Sequence, residues 1–424
     1  MEQEILALRR ANHSEGFEGL PAVRQAQVLT NTGNLLNTIG RSLEALRMYD
    51  QAMLAYPSFG MARGNRGIAL KLLARSHYDE GQVRHLLCRA WRDLTSVESK
   101  HLEPGAERRF KDHAQEIESW LPVSYLEHTC PDLEMSLGRS SNEQRYRRWA
   151  LREGLFLNPL IALGAESCAA RDTLGLPNIV TALDEGPGLL GMFTQIKQEF
   201  VSARFLAWEG LEAGQVHFSD RETHLVDTLD YAVYGLAIEK TKVAFRMAYS
   251  VLDKCAFLLN KYLRLGIDER RVNLNTVWFT GGKPDQSKPN DNLNPSLVDT
   301  DNWQLRGLFW LARDIRDPGA LRDPIDPDAQ ELKEIRDHLE HKYLKVHDPY
   351  VPGSLPDGLR DQYARSVDRA AFVAKTLKLL RLAQSAITYL SLGIHREERR
   401  RAAGRKSGPV LPMSLPNVPD RAKQ

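Results

Sequence analysis

The chain has 424 residues, too long for one average domain and suited to two or three. Its 42% hydrophobic and 26% charged content is that of a soluble globular protein. A formal charge of +2 excludes a global nucleic-acid footprint, so any such binding must come from local patches. No run approaches the roughly 18 to 20 apolar residues of a membrane span. The opening MEQEILALRRANHSEGFEGL lacks the apolar core of a signal peptide. Cys88, Cys130, Cys168 and Cys255 have no paired spacing, which fits a reducing, cytoplasmic setting with neither a disulfide framework nor a zinc site.

Residues 1–120 read as a helical repeat region. Gly33 and Gly67 lie 34 residues apart, each followed three residues later by Leu36 or Leu70. Ala45, Tyr49, Ala52 and Pro57 follow Gly33 at helix-pair spacing, resembling the tetratricopeptide repeat. Small residues let two helices approach, the aromatic fills the gap and proline ends the second helix. The unit opened by Gly67 loses the pattern at Asp79, so helices at 5–13 and 81–94 are expected to complete a short array. A further helix is expected over 100–120, after the Pro104-Gly105 break.

Residues 121–200 form a connector in which Pro122, Pro131, Pro159, Pro177 and Pro187 interrupt short apolar pieces. Helical patterning returns over 193–213, 222–238 and 240–265. The last carries Val243, Met247, Val251, Leu252, Leu258, Leu259 and Leu263 and stops at Gly266. A polar, surface-lying loop is expected at 281–299, then helices at 301–316, 327–346 and 364–395. Only 275–280 could be a strand. The fold class is all-α, with a helical bundle over 201–400 and a disordered tail over 401–424.

The chemistry concentrates in Arg336-Asp337-His338-Leu339-Glu340-His341. A permanent cation, a carboxylate and two imidazoles within two helical turns can hold a phosphate and move a proton. Asp326-Pro327 marks the helix start. Leu332, Ile335, Leu339, Tyr343 and Val346 form one apolar seam. At about 100° per residue, Arg336 lies about 60° from Leu339, while Asp337, His341 and Leu344 face away. Arg336 and His341 diverge by about 140°. A second copy of the chain could close the site, with Leu344 on the shared surface.

An arginine, a polar residue, three more and a histidine on a late helix of an α-bundle resemble the HEPN family. The surroundings agree: Asp253 on a long helix, Arg313-Asp314-Ile315-Arg316, then the motif helix and a long final helix. Tyr146 to Trp149, Leu155 to Leu160 and GMFTQIKQEFVSAR (191–204) resemble a subfamily that joins tetratricopeptide-like helices to a C-terminal HEPN domain. The resemblance implies a homodimeric, metal-independent endoribonuclease in defence or stress response, leaving 2′,3′-cyclic phosphate and 5′-hydroxyl ends. It makes Arg336 the phosphate ligand, His341 the general acid or base and Asp337 its orienting partner. Arg336 and His338 would contact RNA, and Asp253 would support.

Other readings attach to the same residues. The run EIRDHLEHKYLKVHD is also what a solvated helix face looks like. His338 and His341 are three apart, but no carboxylate–histidine pattern of a hydrolytic metal motif surrounds them, so no metal or other cofactor is expected. Arg396 to Lys406 could track a phosphate backbone, or be a charged helix end given Glu397 and Glu398. The rival function is a non-catalytic adaptor whose repeats bind a peptide or protein and whose HEPN domain dimerises or binds nucleotides.

Overall fold

The structure, a computed structural model, describes residues 1–98, 102–128, 134–182, 184–283, 292–298, 300–315, 325–348, 361–405 and 410–423. Five helices open it: α1 Glu2–Asn12, α2 Ala22–Thr38, α3 Ser42–Ala55, α4 Gly60–Arg75 and α5 Glu80–Thr95. α2 with α3 and α4 with α5 form hairpins, which stack through α3 and α4. The glycine spacing has a direct cause. A Cβ on Gly33 would lie 2.6 Å from the Tyr49 ring, so the ring of α3 rests on the backbone of α2. Where the second unit departs, Asp79 instead caps α5 by accepting the Gln82 backbone N–H at 2.9 Å. α6 Ala106–Glu118 then starts after Gly105, whose φ of +80° suits glycine.

The connector holds α7 Val123–His128 and α8 Ser141–Arg152, then irregular chain. One buried side chain docks it to the bundle. Arg204 donates to the Tyr146 hydroxyl at 2.7 Å and to the Leu155 carbonyl at 2.9 Å, and meets Asp172 at 2.7 Å. Its guanidinium also lies 4.6 Å from the Phe156 ring centre. The three stretches that carry the subfamily resemblance thus meet at one arginine.

α9 Gly188–Glu212 and α10 Leu236–Leu263 form an antiparallel pair, Glu209 facing Lys240 and Glu199 facing Lys254. Then come α11 Pro295–Val298, α12 Trp303–Ala312, α13 Ala329–His341, strands β1 Tyr343–His347 and β2 Ala364–Asp368, and α14 Arg369–Gly404. α14 packs on α9, α10 and α12, while α13 packs on α10. The fold is all-α, with one small parallel ribbon in which Tyr343 pairs with Ala364 and His347 with Asp368.

Several expectations are corrected. Residues 222–235 are not helical. Glu222, Leu229 and Tyr231 adopt positive φ, and the chain passes beside β1, with Val233 N–H donating to the Val346 carbonyl at 2.7 Å. The helix expected to run to 346 stops at His341, and Leu344 and Val346 are buried on β1. Spacings of three and four therefore concealed a period of two, because tertiary pairing on both edges outweighs helix propensity. Residues 275–278 form turns and Phe279 makes one antiparallel bridge to Leu293, short of a strand. Cys88 is disulfide-bonded, whereas Cys168 and Cys255 are free; a disulfide needs proximity in the fold, not spacing in sequence. Part of the polar loop (284–291 and 299) and part of the tail (406–409 and 424) lie outside the described residues. Residues 410–423 are exposed, with one short turn at Asp420–Ala422.

The repeat region joins the bundle through a buried ionic cluster. Arg9 of α1 grips Asp314 with both terminal nitrogens, at 2.6 and 3.1 Å, and donates to the Ile325 carbonyl at 3.0 Å. Arg41, between α2 and α3, binds the same carboxylate. Beside it the backbones nearly touch, since a Cβ on Gly40 would lie 2.2 Å from the Trp303 carbonyl oxygen. Burial alone would raise the Asp314 pKa, but the charges of Arg41 and Arg9 outweigh it and bring it to about 2. That value lies below the unfolded one, so the ionised carboxylate stabilises the fold above about pH 4. The contribution, roughly 2 kcal/mol, is lost as pH falls toward 2. Asp314→Ala should cost about 3–5 kcal/mol by stranding two buried guanidinium groups, read as a lower urea midpoint. An unchanged midpoint would show that the cluster does not hold the two regions together.

Candidate active site

α13 is fixed before it reaches the motif. Asp326 accepts the Asp328 backbone N–H at 2.8 Å and the Lys378 ammonium at 2.6 Å. Asp328 pairs with Lys375 at 2.5 Å and Lys378 at 2.7 Å, tying the start of α13 to α14. Ala329, Leu332 and Ile335 are wholly buried, as an amphipathic helix requires. Farther along, Glu334 pairs with Arg365 of β2, and Glu340 with Arg246 of α10 at 3.2 Å.

Arg336 leans toward α10. Its guanidinium lies 5.1 Å from the Tyr249 ring centre and 3.4 Å from the Asp337 carboxylate, and about a third of the side chain remains exposed. Asp253, one turn beyond Tyr249, completes this recess. Burial raises the Asp253 pKa, only partly offset by the Leu274 N–H it accepts at 3.0 Å and by the Arg336 charge. The recess therefore combines a half-open cation, an aromatic floor and a carboxyl shifted toward its neutral form.

His341 ends α13 and is exposed. Among the described residues no hydrogen bond joins it to Asp337, whose carboxylate faces Arg336 instead. His338 is partly buried, and its Nδ1 lies 2.8 Å from the Glu334 carbonyl oxygen. A carbonyl only accepts, so Nδ1 carries the proton and Nε2 is left as an acceptor. The structure thus brings Arg336, Asp337 and Asp253 together and holds His341 apart at the helix end. Among the described residues no three His, Cys, Asp or Glu side chains converge as a metal site.

Beyond His341 the chain turns into β1. Lys345 is buried there, bound to Asp230 at 2.6 Å, Asp361 at 3.0 Å and the Thr228 hydroxyl at 3.0 Å. Buried His347 is held between the Asp230 carbonyl and the Ser366 hydroxyl. The 228–233 segment thereby becomes part of the ground next to the motif. Neither Tyr249 nor Lys345 was singled out from sequence; a buried lysine two residues after an exposed tyrosine is unremarkable until the strand is known.

The chain is an α-bundle that carries Arg336 and His341 on the helix before its last long one. The family model described as LA2681-like HEPN matches residues 180–397, just over half of the chain. The chain therefore belongs to that HEPN family. No curated protein and no solved structure matches it. Among the described residues, no helix is long and apolar enough to cross a membrane.

Lys345→Met should remove the cation that compensates buried Asp230 and lower stability by about 3 kcal/mol. Thermal melting checks this, and a melting temperature equal to wild type would contradict the assigned pairing.

Proposed function

We propose that the protein is a metal-independent endoribonuclease whose site is shared between two copies. The observation that carries this reading is the half-open Arg336 guanidinium over Tyr249, on the same helix as an exposed His341, in a chain of the HEPN family. Arg336 pairs with the oxygens of the scissile phosphate and offsets charge in the transition state. The ribose 2′-oxygen bonds to phosphorus as the 5′-oxygen leaves, giving 2′,3′-cyclic phosphate and 5′-hydroxyl ends. One proton departs from the 2′-hydroxyl and one arrives on the leaving oxygen. Two copies supply two His341 imidazoles for these transfers. Asp337 holds Arg336 in place, and His338 offers Nε2 to the RNA.

Leu344 no longer supports dimerisation, being buried within its own chain. Support comes instead from the segment beside β1, where Phe218, Leu225, Val226, Leu229 and Tyr231 are all more than 60% exposed. An apolar surface of this kind marks an interaction site, and it adjoins the strand that follows His341.

The test is RNA incubated with excess chelator. Wild type should cut it, while Arg336→Ala and His341→Ala should each lose about 100-fold or more. Cleavage that persists in both variants, or that stops in the wild type on chelation, contradicts the mechanism. Light scattering should give a dimer for wild type and a shift toward monomer for the double variant Val226→Asp, Leu229→Asp. A monomeric wild type at micromolar concentration would remove the shared site.

A further inference from the structure

A cavity lies away from the motif, where the α4–α5 hairpin faces the start of α12 and the end of α14. Its volume is about 790 Å³, within the range of small-ligand sites. Three features of its walls point to one ligand chemistry.

The first is charge. Arg75 and Arg84 enter from the repeat region and Arg396 and Arg399 from α14, against two lining carboxylates, Glu80 and Asp301. The pairs are loose or exposed: Arg84 is 3.9 Å from Glu80, Arg75 is 3.6 Å from Glu116, and Arg396 meets Asp301 at 3.1 Å on the surface. Arg399 has no ion pair among the described residues. The glutamates interleaved in this basic run point elsewhere. Glu397 accepts from Asn302 and Glu398 from the Tyr262 hydroxyl, both buried, so α14 presents His395, Arg396 and Arg399 to the cleft and neither glutamate.

The second feature is aromatic surface. Trp120 and Trp303 line the cavity and keep 41% and 36% of their surface exposed. The third is unmet hydrogen bonding. His77 is 93% buried, yet among the described residues neither ring nitrogen has a hydrogen-bond partner, and Gln304 is 98% buried with an Oε1 that has none there either. Both line the cavity. Leaving such groups unpaired is costly, and a ligand that bonds to them would recover that cost. Burial pushes the His77 pKa down to about 4, so at neutral pH the ring offers one donor and one acceptor. Uncharged donors and acceptors beside partly exposed indoles suit a nucleobase, and an arginine cluster suits phosphate.

We propose that this cleft binds a nucleoside phosphate, its base stacked on Trp120 or Trp303 and read by His77 and Gln304, its phosphates held by Arg75, Arg84, Arg396 and Arg399. The site is independent of the cleavage reaction and spans the repeat region and the bundle, so its occupant fastens one to the other. A free nucleotide and the terminal nucleotide of an RNA share this chemistry.

Calorimetric titration in an Arg336→Ala background, where oligonucleotides should stay intact, separates the two sources. The probes are ATP, GTP, CTP and UTP, inorganic triphosphate, and an eight-nucleotide RNA with and without a 5′-phosphate. The proposal expects saturable binding of at least one free nucleotide, or of the 5′-phosphorylated RNA alone, which would assign the source to an RNA end. Arg84→Glu and Arg399→Glu, both exposed and folding normally, should each weaken binding at least about tenfold, since a charge-assisted contact is replaced by repulsion. Gln304→Met should reduce discrimination among bases while inorganic triphosphate binding stays unchanged. No binding of any nucleotide or RNA by folded protein, binding of inorganic triphosphate as tight as that of every nucleotide, or binding unchanged in both arginine variants would overturn it.

Discussion

The buried carboxylate of Asp314 is the constraint on which the arrangement of the chain depends. It has lost its water and is held by Arg9 and Arg41, two guanidinium groups from the opposite end of the sequence. Such a cluster adds little stability over a well-packed apolar alternative, but losing one member strands the others. It therefore selects one docking of the repeat region on the bundle. Gly40 and Gly307 make that docking close, because a side chain at either would run into the other's backbone. Arg9 also reaches the Ile325 carbonyl and lies 3.4 Å from Asp326, where the motif helix is about to begin. The N-terminal helix thus helps set the position of a helix more than 300 residues away.

From that anchored start, α13 is held along its length by pairs to three neighbours, while its wholly buried apolar residues stop at Ile335. The half of the helix that carries the motif is less buried than the half that anchors it. Arg336 is steadied by an aromatic ring and a nearby carboxylate instead of a full set of ion-pair partners, which leaves its outer face available. His341 stands at the junction with β1, where a rigid buried lysine–aspartate pair limits movement of the following chain. A cation fixed in a recess and an imidazole at a rim are separated on one copy, and a second copy is the simplest way to join them.

Much of this was legible in the sequence where local physics decides. Gly33, Tyr49 and Ala52 announce a close helix pair because glycine spacing and an aromatic filler have few other uses. The helix ends near Asp326 and Gly266 were readable to within about three residues, but the caps were not: α13 begins at Ala329 after Asp328, and α10 ends at Leu263 with Arg264 in the left-handed position. What could not be read depends on partners distant in sequence. The heptapeptide from His341 to His347 fits a helix by spacing and a strand by tertiary pairing, and only contacts with 230–233 and 364–368 decide it. Leu344 consequently changed from a candidate interface residue to a core residue. The exposed Leu225, Val226, Leu229 and Tyr231 were hidden inside an assumed helix at 222–238. Arg313 and Asp314 stood out only through family resemblance, while the reason for the aspartate lay in Arg9 and Arg41. The cleft between α5 and α14 showed only one wall in the sequence, the basic run that begins at Arg396, because its other residues come from three separate stretches.

The most direct measurement of the central claim is the end chemistry of RNA cut by the purified full-length protein. Mass spectrometry of the fragments should show 2′,3′-cyclic phosphate on one side of each cut and 5′-hydroxyl on the other, the signature of attack by the neighbouring 2′-oxygen. Fragments bearing 5′-phosphate and 3′-hydroxyl ends would mean that water is the nucleophile, and the roles given to Arg336 and His341 would be contradicted.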